Sequence, residues 1–369
     1  MSDGRTVTVR LLGPDYGVPI LTLHGNPGSR LGPHVSGQTL DDLGIRLIAP
    51  DRPGYGKSDR NKGLHIADTA NDMAQVMDAL NVEQFGVMAR SGGAPHALGC
   101  AALLGERVFG TMLFASLAPK TAPLEWTEGM TDDNKAKHAA AQEDPEQLAR
   151  TMRRHATSIK RNSSHIMHML WPDLQGADML ALIGEWHEER TNTDLERSQK
   201  EGLRQGGVGW VDDTLALHTE WGFDVQSINT PVTLWHGQQD PFASPIHSRW
   251  LANEIPGATL IEDPDGSHMS SYLYASVGLR LLRNLYLGNE GLESLRSKLL
   301  EEEQQIFERF DVTKEQSREP EYISDDTFEG YIFSDAYMRR RVADSALSLA
   351  TAGIVRRVLQ ETAIRRRSQ

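Results

Sequence analysis

Ser91 stands between small residues in Ala89-Arg90-Ser91-Gly92-Gly93, directly after the apolar run Phe85 to Met88 and before an alanine-rich helical pattern. A serine hydroxyl is a poor nucleophile at neutral pH. Chemistry there requires a base, a group to orient that base, and donors for an oxyanion. His268, in Gly266-Ser267-His268, supplies an imidazole to take and return the Ser91 proton. Asp240, at the end of Trp235-His236-Gly237-Gln238-Gln239-Asp240, supplies a carboxylate to fix the imidazole tautomer and stabilise the imidazolium. The N–H of Gly92 follows the serine at a helix amino terminus, and the N–H of Asn26 lies in the loop His24-Gly25-Asn26-Pro27-Gly28. Together they form a candidate oxyanion hole. The expected chemistry is acyl transfer from a small-molecule substrate.

Such a set works only if strands and tight turns deliver it. Ala89 and Gly93 flank Ser91 at minus two and plus two, where a larger side chain would collide as strand folds back into helix. Strands are expected at Val7–Leu11, Pro19–Leu23, Arg46–Ala49, Phe85–Met88, Thr111–Ala115, Pro231–Trp235 and Ala258–Ile261. Several are continuously rather than alternately apolar, which indicates burial on both faces of a parallel sheet. Helical spacing at Thr69–Leu80 and Tyr272–Tyr286 alternates with them. The chain therefore reads as α/β, with ligand chemistry at the carboxyl ends of its strands.

Composition narrows the class. A hydrophobic fraction of 39% and a charged fraction of 24% over 369 residues describe a globular chain with ample core, and no apolar run is long enough to span a bilayer. Lys and Arg number 38 against 51 Asp and Glu, a formal charge of −13 that opposes nucleic-acid binding. No basic region followed by an apolar core opens the sequence, so a cytoplasmic location is expected. The single cysteine, Cys100, excludes an internal disulfide and a multi-cysteine zinc site, and its apolar setting points to core packing.

The four stretches around Asn26, Ser91, Asp240 and His268, together with Asp51-Arg52-Pro53-Gly54-Tyr55-Gly56-Lys57-Ser58, resemble those of the α/β-hydrolase superfamily. The chain order serine, acid, histidine is that superfamily's order and differs from those of the chymotrypsin and subtilisin folds. The resemblance covers residues 5 to 288. It implies an α/β-hydrolase core at 1–120 and 226–288, with a mostly parallel sheet flanked by helices. It also implies a helical cap at 121–225, leaving a helical extension at 289–369. Ala89 departs from the usual glycine. The Asn26-Pro27 loop is similar to that of haloalkane dehalogenases and epoxide hydrolases, but those families place an aspartate where this chain has Ser91.

The expected function is a serine hydrolase of esters, thioesters, lactones or small amides, with no cofactor. The alternatives on the same chemistry are a proline-iminopeptidase-like aminopeptidase, a cofactor-free perhydrolase and an acyltransferase. An alternative of another class is a non-catalytic binding or partner module. Arg90, Glu185, Trp186 and Glu188 are candidate substrate contacts, the last three set against an ordinary solvated helix face. His24, His96 and His236 read as structural histidines, and no recognisable ligand spacing supports a metal site at His165 and His168. The extension is a candidate surface for homo-oligomerisation; its mixed acidic and basic blocks argue against membrane or nucleic acid.

Overall fold

The computed structural model describes residues 1–33, 35–162, 165–176, 178 and 194–288. A seven-stranded sheet forms its centre: β1 (Val9–Leu12), β2 (Val18–Leu23), β3 (Ile45–Pro50), β4 (Phe85–Arg90), β5 (Val108–Phe114), β6 (Val232–Gly237) and β7 (Thr259–Asp263). The spatial order is β1-β3-β2-β4-β5-β6-β7. β1 runs antiparallel to β3, and every other pairing is parallel. Each strand expected from the sequence is present, displaced by a few residues at its ends.

The described helices are α1 (Gly37–Leu43), α2 (Asp68–Ala79), α3 (Ala94–Leu104), α4 (Asp132–Glu143), α5 (Pro145–Arg161), α6 (His165–Leu170), α7 (Asp194–Gly202), α8 (Val208–Ala216), α9 (Ile246–Glu254) and α10 (Ala275–Leu287). Helices cover both faces of the sheet. On one side Leu21, Val87, Leu113 and Leu234 pack with Met73 of α2, Leu98 of α3 and Leu251 of α9. On the other Ile20, Met88, Met112 and Trp235 meet Leu40 of α1 with Leu279 and Leu282 of α10. Neighbouring strand residues thus enter opposite cores, which is why these strands carry continuous apolar runs. Cys100 is buried in the first core, and burial pushes its thiol up to about 12.

Helices α4 to α8 lie between β5 and β6 in the chain. The break between α4 and α5 is local chemistry: Asp144 caps α5 by accepting from Gln147 N at 2.9 Å, and Pro145 occupies the first turn. Leu148, Met152, Ala156 and Ile159 recur on one face of α5 and form a third apolar cluster with Leu195, Leu203, Trp210 and Val211. Tyr55, from the loop after β3, belongs to that cluster, so these helices are seated on the sheet's carboxyl-end loops. Ion pairs reinforce the seat. Arg60 grips Asp212 of α8 with Nε and Nη2 at 2.6 and 2.8 Å, and Arg30 reaches Glu201 of α7 at 2.8 Å. Among the described residues no helix is long and apolar enough to cross a membrane.

Candidate active site

β4 ends at Arg90, and Ser91 takes φ of +52° before one turn of 3₁₀ helix leads into α3. A left-handed conformation at a non-glycine residue is unfavourable and holds only where packing enforces it. The enforcement is visible at the two glycines that follow. A Cβ on Gly93 would sit 2.5 Å from the carbonyl oxygens of Leu23 and His24, and one on Gly92 would sit 2.4 Å from Asn26 Cγ. The loop after β2 is therefore pressed onto the turn. Ala89 is buried in the core and tolerates its methyl group there.

His268 follows β7 and Asp240 follows β6, adjacent strands, so their loops meet. Nδ1 of His268 lies 2.7 Å from Oδ2 of Asp240. The other carboxylate oxygen accepts from the N–H groups of Phe242 and Ala243 at 2.8 and 2.9 Å. His236 stands behind the pair: Nε2 is 2.8 Å from Ala243 O and 3.3 Å from Asp240 Oδ2, while Nδ1 is 2.6 Å from Ser248 Oγ. Burial pushes the Asp240 carboxyl up, but the electrostatic pull of His268 and the hydrogen bonds from His236 and His268 outweigh it. The group is held well below the usual carboxylate range. Asp263 and Asp265 do not take this place. Asp263 is turned to the backbone of Asp265 and Gly266 at 3.2 and 2.9 Å, and burial raises it to about 6.

Asn26 is held from behind by a buried network. Arg52, with no exposed surface, donates to His24 O and to Asn26 Oδ1, and its Nη2 reaches Oδ2 of Asp213 at 2.5 Å. Tyr55 donates to the same Asp213 oxygen at 2.9 Å, and His96 Nε2 lies 3.3 Å from the other. His96 also meets Thr69 Oγ1 through Nδ1 at 2.7 Å. Nε2 of His24 accepts from Arg52 N at 3.2 Å, so Nδ1 carries the hydrogen facing Gly25 O at 2.9 Å. Burial and the Arg52 charge keep His24 neutral. His24, His96 and His236 thus serve as hydrogen-bonding braces. The Arg52–Asp213 pair is absent from the sequence reading, as is Asp178. Buried Asp178 accepts from Ser267 Oγ at 2.8 Å and from Met269 N at 2.5 Å, bracketing His268.

Ser91, Gly92, Asn26, Arg90 and His268 all line one cavity of about 450 Å³, roofed by residues of α4, α5 and α8. Phe242 edges the imidazole with ring centroids 5.5 Å apart. Glu185, Trp186 and Glu188 lie outside the described residues, as does the 289–369 extension. Among the described residues no group of three His, Cys, Asp or Glu side chains is arranged to hold a metal ion.

Residues 18–273 match the family model for the alpha/beta hydrolase fold. The chain is 25% identical over 260 residues to an uncharacterised hydrolase, YcgS, of Bacillus subtilis, covering 70% of this chain and 86% of that one. It is 27% identical over 291 residues to the 2-hydroxymuconate semialdehyde hydrolase of Pseudomonas putida, covering 75% and 90%. Among solved structures it is similar to MGS-M2, an alpha/beta hydrolase enzyme from a deep-sea metagenome library of the Medee basin. That likeness has a TM-score of 0.56 at 16% identity and covers 77% of this chain and 95% of the other. With a seven-stranded sheet of this topology and a family match across more than half its length, the chain belongs to the α/β-hydrolase family.

Proposed function

We propose that the protein is a serine hydrolase that cleaves esters, thioesters, lactones or small amides. The observation that carries this reading is the 2.7 Å contact of His268 Nδ1 with Asp240, beside a cavity shared by His268 and the left-handed Ser91. Nδ1–H held on Asp240 leaves Nε2 as the basic nitrogen.

In the proposed sequence Ser91 Oγ bonds to the acyl carbon while its proton passes to His268 Nε2. The carbonyl π electrons move to oxygen, where Asn26 N–H and Gly92 N–H donate to the oxyanion. Collapse breaks the bond to the leaving group, which departs with the proton from His268 and leaves an acyl ester on Ser91. Water then attacks, again giving its proton to His268. The second collapse releases the acid and returns the proton to Ser91. The helices between β5 and β6 act as a cap that shapes the pocket and limits access of bulk water.

A fluorophosphonate probe tests this: it labels the wild type on Ser91 and does not label Ser91→Ala. Folded wild type that stays unlabelled would overturn the reading.

A further inference from the structure

Arg90 precedes the proposed nucleophile, lies half-buried and lines the same cavity. Its guanidinium carbon sits 4.0 Å from the centre of the Tyr272 ring. Nη1 is 3.5 Å from Ser271 Oγ and 3.6 Å from Met269 Sδ, and Nη2 is 3.7 Å from the same sulfur. None of these is a short, charge-assisted hydrogen bond. Other arginines near the site are neutralised: Arg52 by Asp213, Arg60 by Asp212, Arg30 by Asp51 and Glu201. Arg90 has no carboxylate within ion-pair distance among the described residues. The carboxylates that do line the cavity among the described residues, Asp133 and Asp173, come from the chain between β5 and β6 and pair with none of its three guanidinium nitrogens.

A guanidinium stays charged at any ordinary pH, and its planar fork matches a carboxylate. The guanidinium is held over the Tyr272 ring, and among the described residues its N–H groups meet only the long contacts to Ser271 and Met269. Tyr272, Ser271 and Met269 directly follow His268, so the charge is packed against the loop that carries the proposed base. Resting on the serine-hydrolase reading above, we propose that Arg90 is a carboxylate-recognition residue and that the preferred substrates are acyl compounds bearing a free carboxylate near the scissile bond.

Two matched ester pairs test this and locate the carboxylate. The acyl side is read by 4-nitrophenyl hemiglutarate against 4-nitrophenyl butyrate, and the leaving side by 4-acetoxybenzoate against phenyl acetate. The assignment predicts that wild type favours the charged member of one pair in kcat/KM. That ratio falls about tenfold or more in Arg90→Met, through KM, and partly returns in Arg90→Lys, as expected for loss of a charge-assisted hydrogen bond. Free glutarate should likewise inhibit butyrate hydrolysis competitively, with an inhibition constant that rises about tenfold in Arg90→Met. A residue that merely braces the His268 loop changes both members of a pair together. Equal ratios in wild type and Arg90→Met for both pairs, in protein whose Ser91 still labels, overturn the carboxylate assignment alone. Failure of Ser91 to label, with no turnover of any ester, removes the serine-hydrolase reading and this assignment with it.

Discussion

Nη2 of Arg52 donates to Oδ2 of Asp213 at 2.5 Å, and both side chains are wholly withdrawn from water. Arg52 sits in the loop after β3 and Asp213 in α8, so the bond joins the sheet to the helices inserted between β5 and β6. The same guanidinium holds Asn26 Oδ1 and His24 O. The position of the proposed oxyanion loop is thereby set in part by the inserted helices, and the pair links their docking to the chemistry.

Removing one partner strands the other charge in the interior. Asp213→Ala is expected to lower unfolding stability by about 3–5 kcal/mol, whereas Arg52→Met with Asp213→Leu restores much of it. Urea unfolding of the singles and the double mutant checks this. The double mutant should still show reduced kcat, because Asn26 loses its anchor. Additive losses in stability would show that the two buried charges do not depend on each other.

The two glycines after Ser91 should fail in different ways. A Cβ at Gly92 meets the Asn26 side chain, which can swing aside at the expense of the oxyanion loop. Gly92→Ala is therefore expected to fold and to lose about 100-fold or more in kcat, the scale of a lost oxyanion donor. A Cβ at Gly93 meets backbone carbonyl oxygens that cannot move alone. Gly93→Ala should show its main loss in thermal stability. Melting curves beside kcat measurements separate the two.

Much of this arrangement is legible in the sequence, and the missing parts share a cause. The seven strands announce themselves as buried apolar runs, and Ser91, Asp240 and His268 each end such a run in a loop rich in turn-forming residues. Adjacent β6 and β7 then bring Asp240 to His268. Arg52 lies in a stretch that marks the family resemblance, yet its partner is 161 residues away in Val211-Asp212-Asp213-Thr214, where no spacing singles out one aspartate. Asp178 is separated from Ser267 and Met269 by 89 and 91 residues and carries no local signature either. Ion pairs and hydrogen bonds between an insertion and a core have no periodicity to betray them. They depend on docking, which only the tertiary structure supplies.

Asp178 acts on His268 through the residues either side of it. Asp178→Ala removes the carboxylate that accepts from Ser267 Oγ and Met269 N. The displaced imidazole should cost about 10- to 100-fold in kcat, with KM for a small uncharged ester changing less. Steady-state kinetics on 4-nitrophenyl butyrate measure both. An unchanged kcat contradicts a positioning role.

Burial raises Asp263 to about 6, against about 3.9 for an unfolded aspartate. Between these values the folded chain holds a proton that the unfolded chain has released, so stability falls as pH rises through that window. The deficit, about 3 kcal/mol, is complete above it. Asp263→Asn removes the titration. Urea unfolding at pH 4.5 and 7.5 should show the variant losing less stability than wild type over that step; parallel losses contradict the assignment.

Ser91 is proposed to carry the acyl group between two half-reactions, and mass spectrometry of the quenched enzyme reads that intermediate. Wild type mixed with a 4-nitrophenyl ester and acid-quenched during turnover should gain the mass of one acyl group, mapping to the peptide that contains Ser91. Ser91→Ala should gain none and should not turn over. An acyl group on another residue, or turnover by Ser91→Ala at the wild-type rate, would contradict it.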